Sequence, residues 1–171
     1  MNRTRAVIIM ALTAFAVLAV TASRSLPKLL VWNASASVPI GLYALRPAIA
    51  LHTGELVAIL PPTRLAHYLA ARGYLPNGVP LLKHILALRG QTVCRIGRVV
   101  SIDGVAAANA LDRDRLGRSL PVWQGCRTLR AGEVFLLNSN IRDSFDGRYF
   151  GPLPAVSIIG RAEPLWITRE K

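Results

Sequence analysis

The sequence predicts a mainly β protein: a membrane helix over residues 1–24, then a β-rich domain over 25–171 that contains one inserted helix. Three observations predict it. One uncharged run near the N-terminus has the length of a bilayer. Short apolar runs bounded by Gly, Pro and Asp-Gly recur along the rest of the chain. A single stretch between them carries helical periodicity with start and stop residues.

The uncharged run is "AVIIMALTAFAVLAVTAS", 18 residues from Ala6 to Ser23, bracketed by Arg5 and Arg24. As a helix it would reach about 27 Å, close to the hydrocarbon thickness of a bilayer. A cleaved secretory signal is the alternative, with Val20-Thr21-Ala22 as a small-residue cleavage site. Flanking charge does not orient the helix, because Arg3 and Arg5 precede it while Arg24 and Lys28 follow. Under either alternative the remainder of the chain is exported.

Beyond Ser37 the strand-length runs follow in order. "ELVAIL" (Glu55–Leu60) starts after the turn at Thr53-Gly54 and stops at Pro61-Pro62. "TRLAHYLAARG" is the inserted helix, with Thr63 as its N-cap, Leu65, Tyr68 and Leu69 on one face, and Gly73 as its stop. "PLLKHILAL" (Pro80–Leu88) is a strand with a lysine in its middle. "RVVSIDGVAAA" is a hairpin turning on Asp103-Gly104, the dipeptide that a type I′ turn favours. Residues 109–131 read as loop. "EVFLLN" (Glu133–Asn138) is a strand, and "SIIGRAEPLWI" (Ser157–Ile167) is expected at a sheet edge because Pro164 cannot donate to a ladder.

Composition narrows the function classes. Net charge is +12, from 21 basic against 9 acidic residues. Such an excess suits an acidic surface, and anionic lipid is favoured over nucleic acid because no recognition-helix, zinc-finger or basic–aromatic pattern occurs. No nucleic-acid partner and no cofactor are expected. His52, His67 and His84 are dispersed without ligand spacing, so no metal site is expected either. Cys94 and Cys126 would meet an oxidising compartment and form a disulfide, two buried thiols being the other reading.

Chemistry is expected at two places. "NASASVPIGLYAL" (Asn33–Leu45) sets serines on a turn bearing a proline and a glycine, just past the apolar run. A serine hydroxyl is a weak nucleophile and needs a base. Of the three lysines, Lys28 adjoins the membrane helix and Lys171 ends the chain. Lys83 sits within an apolar strand, where desolvation would free its amine to act as a base. Two plainer readings stand beside these. The serines are turn residues bonded to nearby backbone, and alternation points Lys83 to solvent.

Taken together, the segments resemble the boxes of the bacterial type I signal peptidase superfamily, and most closely its TraF-type branch of conjugative-transfer signal peptidases. "SASVPIGLY" is similar to that branch's Ser-x-Pro-x-Gly-x-Tyr, through Ser37, Pro39, Gly41 and Tyr43. The Ser-Met-x-Pro of the housekeeping enzymes is not present. "TGELVAIL" resembles the next box, and "PLLKHILALRGQTV" the lysine box, with Gln91 where the housekeeping enzymes have aspartate. "SFDGRYFGPLP" resembles the last box, with Gly147 in place of a second serine. The four boxes occur in order between Ser35 and Pro154.

The resemblance implies a signal-peptidase-like catalytic domain in the periplasm, tethered to the inner membrane, and a serine endopeptidase with a Ser-Lys dyad. It makes Ser37 the nucleophile and Lys83 the general base. Ser35 and the Ser37 N–H would form the oxyanion hole, Ser144 would orient the lysine amine, and Asp146 with Arg148 would brace the site. The substrate it implies is an exported precursor such as a pilin subunit, cut at the membrane surface. Hydrolysis and transfer of the acyl group to the substrate's own N-terminus both remain open. Ile40, Leu42 and Leu82 would line the pockets for small side chains.

Overall fold

The computed structural model describes residues 3–23 and 30–168. Arg24, Lys28 and Lys171 lie outside them. Helix α1 (Arg3–Ser23) has 21 residues. Its described side chains reach Phe15, and Val7, Ile8, Ile9, Met10, Leu12 and Phe15 are all exposed. Among the described residues no helix is long and apolar enough to cross a membrane. The anchor expected over 1–24 is therefore not a feature of the described structure.

Two antiparallel sheets form the frame of the rest. The larger has seven strands: β1 (Leu30–Asn33), β2 (Gly41–Arg46), β3 (Leu56–Ile59), β4 (Leu81–Ala87), β9 (Glu133–Leu136), β10 (Leu153–Pro154) and β11 (Ile158–Ile167). Its strand order is β1-β2-β11-β3-β4-β9-β10. The smaller contains β5 (Thr92–Ile96), β6 (Val99–Ile102), β7 (Val105–Asn109) and β8 (Gly125–Thr128), in the order β7-β6-β5-β8. Strands β4 and β9 are paired, and the chain leaves β4 to enter the small sheet at β5 and returns from β8 into β9, so the small sheet hangs from the pair that also holds the site.

The β6–β7 hairpin turns as expected: Asp103 and Gly104 both have positive φ, at 50° and 82°, the conformation a type I′ turn demands. Helix α2 (Thr63–Ala71) occupies the expected place but not with the expected cap. Pro62 is the N-cap and its carbonyl accepts Ala66 N–H at 2.9 Å, while no side chain caps the helix. Strand β11 is not at an edge. It lies between β2 and β3, and the register slips between Pro164 and Trp166, which admits a residue without an N–H. The segment read as loop contains β8, whose four residues are all exposed.

Among the described residues, buried apolar side chains gather in four clusters, three of which border the sheets. Val31, Val38, Tyr43, Leu45, Ala58, Leu82 and Ala162 form a core under the first strands. Val57, Ile59, Ile85, Val134, Leu136 and Leu153 form a second, covered in part by Leu65 of α2. Ala87, Val93, Val100, Leu129, Phe135 and Leu137 join the two sheets. Cys94 and Cys126 face one another across β5 and β8, with Cα atoms 4.0 Å apart, and are disulfide-bonded.

Candidate active site

The serine turn is organised from within. Asn33, the last residue of β1, aims its amide at three carbonyls of the turn, with Nδ2 at 2.8 Å from Ser35 O and 3.0 Å from both Val38 O and Pro39 O. Its Oδ1 accepts from the Ser35 N–H and from Ser35 Oγ. Tyr43, buried in β2, donates its hydroxyl to Pro39 O at 2.6 Å. These bonds satisfy backbone groups that would otherwise need a regular ladder. Val38 inserts into the core while Ser35 is exposed and Ser37 half-buried. Gly41 follows where β2 passes closest to β11: a Cβ there would stand 2.1 Å from Trp166 O, so only glycine fits.

Ser35 Oγ and Ser37 Oγ are 3.0 Å apart. Asn33 Oδ1 can only accept, so it takes the Ser35 hydroxyl proton and leaves Ser37 as the donor within the serine pair. The expected oxyanion-hole residue thus adjoins the expected nucleophile, with its own hydroxyl engaged by Asn33.

Lys83 is buried in the middle of β4, between β3 and β9, and is 2% exposed. The solvent-facing alternative is overturned: a strand with neighbours on both edges and cores on both faces leaves no exit for the side chain. Nζ donates to Ser144 Oγ at 2.9 Å, the contact expected of a lysine-orienting serine. Desolvation pulls the lysine pKa down to about 8, against the upward pull of the Asp146 charge and helped by that of Arg148. Among the described residues no hydrogen bond joins Lys83 Nζ to Ser37 Oγ.

The connection between the serine turn and the lysine strand runs through Asn138, just beyond β9. Its Nδ2 donates to Ser37 O at 2.7 Å and also approaches Leu82 O at 3.4 Å. Its Oδ1 accepts His84 N–H at 3.1 Å. Behind it stands the pair Asp146–Arg148, both buried. Arg148 Nε lies 2.9 Å from Asp146 Oδ1 and Nη2 2.7 Å from Oδ2, a two-pronged ion pair. The remaining Arg148 donors go to Asn138 O, Ile141 O and Arg142 O, so one guanidinium staples the 138–142 loop. Asp146 also accepts Asn138 N–H at 3.1 Å and caps the short helix α3 (Gly147–Phe150).

Two departures from the housekeeping boxes have local causes. A Cβ on Gly147 would meet Leu136 O at 2.6 Å and the Phe135 ring at 2.7 Å, so a serine does not fit there. Gln91 accepts Leu88 N–H and donates to the Asp103 carboxylate, so an amide at position 91 ties the turn into β5 to the β6–β7 hairpin.

An open cleft of about 690 Å³ adjoins the turn, lined by Ser37, Pro39, His84, Asn138, Ile141 and Thr168 among others. Lys83 and Ser144 are not in its wall, and neither are Ile40, Leu42 and Leu82, the residues expected to line the pockets. Among the described residues no group of His, Cys, Asp and Glu could hold a metal ion. Helix α2 does not cover the cleft. Its Tyr68 stacks on Phe145, between Ser144 and Asp146, with ring centroids 5.7 Å apart.

Of the expected site residues, the structure joins Ser35 to Ser37 and gathers Lys83, Ser144, Asp146 and Arg148. Sequence reasoning missed Asn33 and Asn138. Asn33 opens the very stretch that drew notice, whereas Asn138 ends an apolar strand run, where an asparagine reads only as the start of a turn.

A family model for "Signal peptidase, peptidase S26" matches residues 2–167. The "Conjugal transfer protein TraF" of Agrobacterium fabrum is 36% identical over 147 residues, covering 78% of this chain and 80% of that protein. The "Plasmid transfer protein TraF" of Escherichia coli is 32% identical over 143 residues, covering 78% and 80%. A crystal structure of a signal peptidase I from Enterococcus faecalis is similar at 22% identity and a TM-score of 0.38, over 66% of this chain and 96% of that one. By the extent of the family match and its identity to the TraF proteins, this chain belongs to the signal peptidase family, peptidase S26, beside the conjugal-transfer TraF relatives.

Proposed function

We propose that this chain is a membrane-anchored serine endopeptidase of conjugative transfer that cuts exported precursors, such as a pilin subunit, at the periplasmic face of the inner membrane. Ser37 is the nucleophile and Lys83 the general base. The observation that carries this reading is the Asn138 amide, which bonds Ser37 O and reaches Leu82 O, so that the residue before the lysine and the serine itself share one partner. A buried lysine with a pKa near 8 supplies a neutral amine at a pH where an ordinary lysine holds its proton.

In the reaction, Ser37 Oγ attacks the scissile carbonyl while the Lys83 amine accepts its proton. The resulting oxyanion meets the Ser37 N–H and, once its hydroxyl turns away from Asn33, Ser35. Such donors act on charge that exists only in the intermediate. Lys83 then gives the proton to the leaving amine, and water or a second amine releases the acyl group.

One observation favours a second reading, a catalytically silent assembly factor of the same fold: Lys83 Nζ is bonded to Ser144 and Ser37 Oγ to Ser35, not to one another. Ser37→Ala and Lys83→Ala distinguish the two. The full chain in detergent, incubated with a precursor protein from its own transfer system, is expected to cut it, and each variant to stop cutting while still folded. Cleavage by either variant ends the dyad reading.

A further inference from the structure

Asn138 is 4% exposed, and all its polar groups are engaged by other parts of the site. Nδ2 faces Ser37 O and Leu82 O, which only accept. Oδ1 faces the His84 N–H, which only donates, and lies 3.0 Å from His84 Nδ1. A reversed amide would set oxygen against two carbonyls, so the orientation is unambiguous, and His84 Nδ1 carries a proton to meet Oδ1. The backbone N–H and C=O of Asn138 are held by Asp146 Oδ2 and Arg148 Nη2.

Asn33 and Tyr43 fold the serine turn upon itself but do not aim it at β4. Val38 packs with Leu82, a contact without direction. A hydrogen bond supplies direction, and the Asn138 amide is the one that reaches from the turn toward the lysine strand. We propose that Asn138 is the positioning residue that holds the Ser37 turn against the strand carrying Lys83. The inference rests on the serine–lysine reading above. It extends that reading by giving the buried ion pair a task, since Asp146 and Arg148 hold Asn138 and Asn138 holds the nucleophile. A displacement of about 1 Å at such a pair lowers the rate roughly 10²-fold.

The test uses a thiol in place of the serine and needs no substrate. Both native cysteines are in the disulfide, so Ser37→Cys gives the full chain a single free thiol. Its alkylation by iodoacetamide is followed against pH in detergent. Near the Lys83 ammonium the thiol midpoint is expected below the ordinary value of about 8.5, and adding Lys83→Met should return it there. Adding Asn138→Leu instead, with Lys83 intact, should return it at least halfway, while circular dichroism shows the fold retained. If Lys83→Met leaves the midpoint unmoved, the serine–lysine reading fails and takes the proposal with it. If Lys83→Met moves the midpoint and Asn138→Leu does not, the dyad stands and the proposal alone is overturned. Should Asn138→Leu fail to fold, Asn138→Ala takes its place. Failure of both makes Asn138 a folding residue and also overturns the proposal.

Discussion

Lys83 Nζ and Ser144 Oγ lie 2.9 Å apart inside the protein, a charged donor held by one neutral acceptor. The carboxylate that would stabilise an ammonium, Asp146, is bonded instead to Arg148 and to the Asn138 N–H. Burial therefore outweighs attraction, and the lysine titrates at about 8. Cleavage is expected to rise with pH through that value, because only the neutral amine accepts a proton. Ser144→Ala removes a bond that favours the ammonium, so the midpoint should move to lower pH. The rate on the plateau should fall by about one to two orders of magnitude, matching the ~1.5–3 kcal/mol of a hydrogen bond to a charged group. Initial rates on a precursor between pH 6 and 10 check both, and an unchanged midpoint would deny Ser144 its role.

The same lysine makes stability depend on pH. In the unfolded chain it stays charged up to its ordinary 10.5, in the folded protein only to about 8. Between these values the unfolded chain binds more protons, so stability rises with pH; below 8 the burial penalty is present in full. That penalty is on the order of 3 kcal/mol. Lys83→Met removes it, so the variant is expected to be more stable than the parent at pH 7, with the gap closing toward pH 10.5. Urea unfolding of both proteins at pH 7 and pH 10 measures the gap. One that does not change with pH would show that burial leaves the lysine pKa where it stands in the unfolded chain.

Legibility followed range. The Asp103-Gly104 hairpin, the strands β3, β4 and β9, and helix α2 were readable because local spacing decides them. The burial of Lys83 was one of two open readings, since an apolar run around a lysine implies desolvation while strand alternation could point the same side chain to solvent. β8 was not readable, because Gly125–Thr128 is exposed throughout and carries no alternation. β11 was misplaced because Pro164 argues for an edge, whereas a register slip lets the interior accept it. Asn138 was invisible as a site residue. Its partner Ser37 is 101 positions away, and nothing in a strand-ending asparagine names the carbonyl it will meet.

Gly147 offers a test of packing at the site. Its Cβ position is filled by Leu136 O and the Phe135 ring, and its carbonyl accepts the Trp123 indole N–H at 3.0 Å. Gly147→Ala should destabilise the fold by about 1–3 kcal/mol, the usual cost of overpacking. Because Asp146 and Arg148 flank it, cleavage should fall further than the folded fraction does. Thermal unfolding alongside activity per folded molecule checks this, and a variant as stable as its parent would show that the backbone can move aside.

The Asp146–Arg148 pair is the most deeply buried charge in the site, with side chains 0% and 1% exposed. Its worth lies less in attraction than in what its halves leave behind. Arg148→Met strands the Asp146 carboxylate and frees the carbonyls of Asn138, Ile141 and Arg142, and such an uncompensated charge costs about 3–5 kcal/mol. Asp146→Leu leaves the guanidinium unpaired but still bonded to three carbonyls, so it should cost less than Arg148→Met. The double variant removes both charges and should cost less than the sum of the singles. Urea unfolding of the four proteins gives the coupling directly. Additive losses would show that the two side chains act separately, and the 138–142 loop would then owe its position to Arg148 alone.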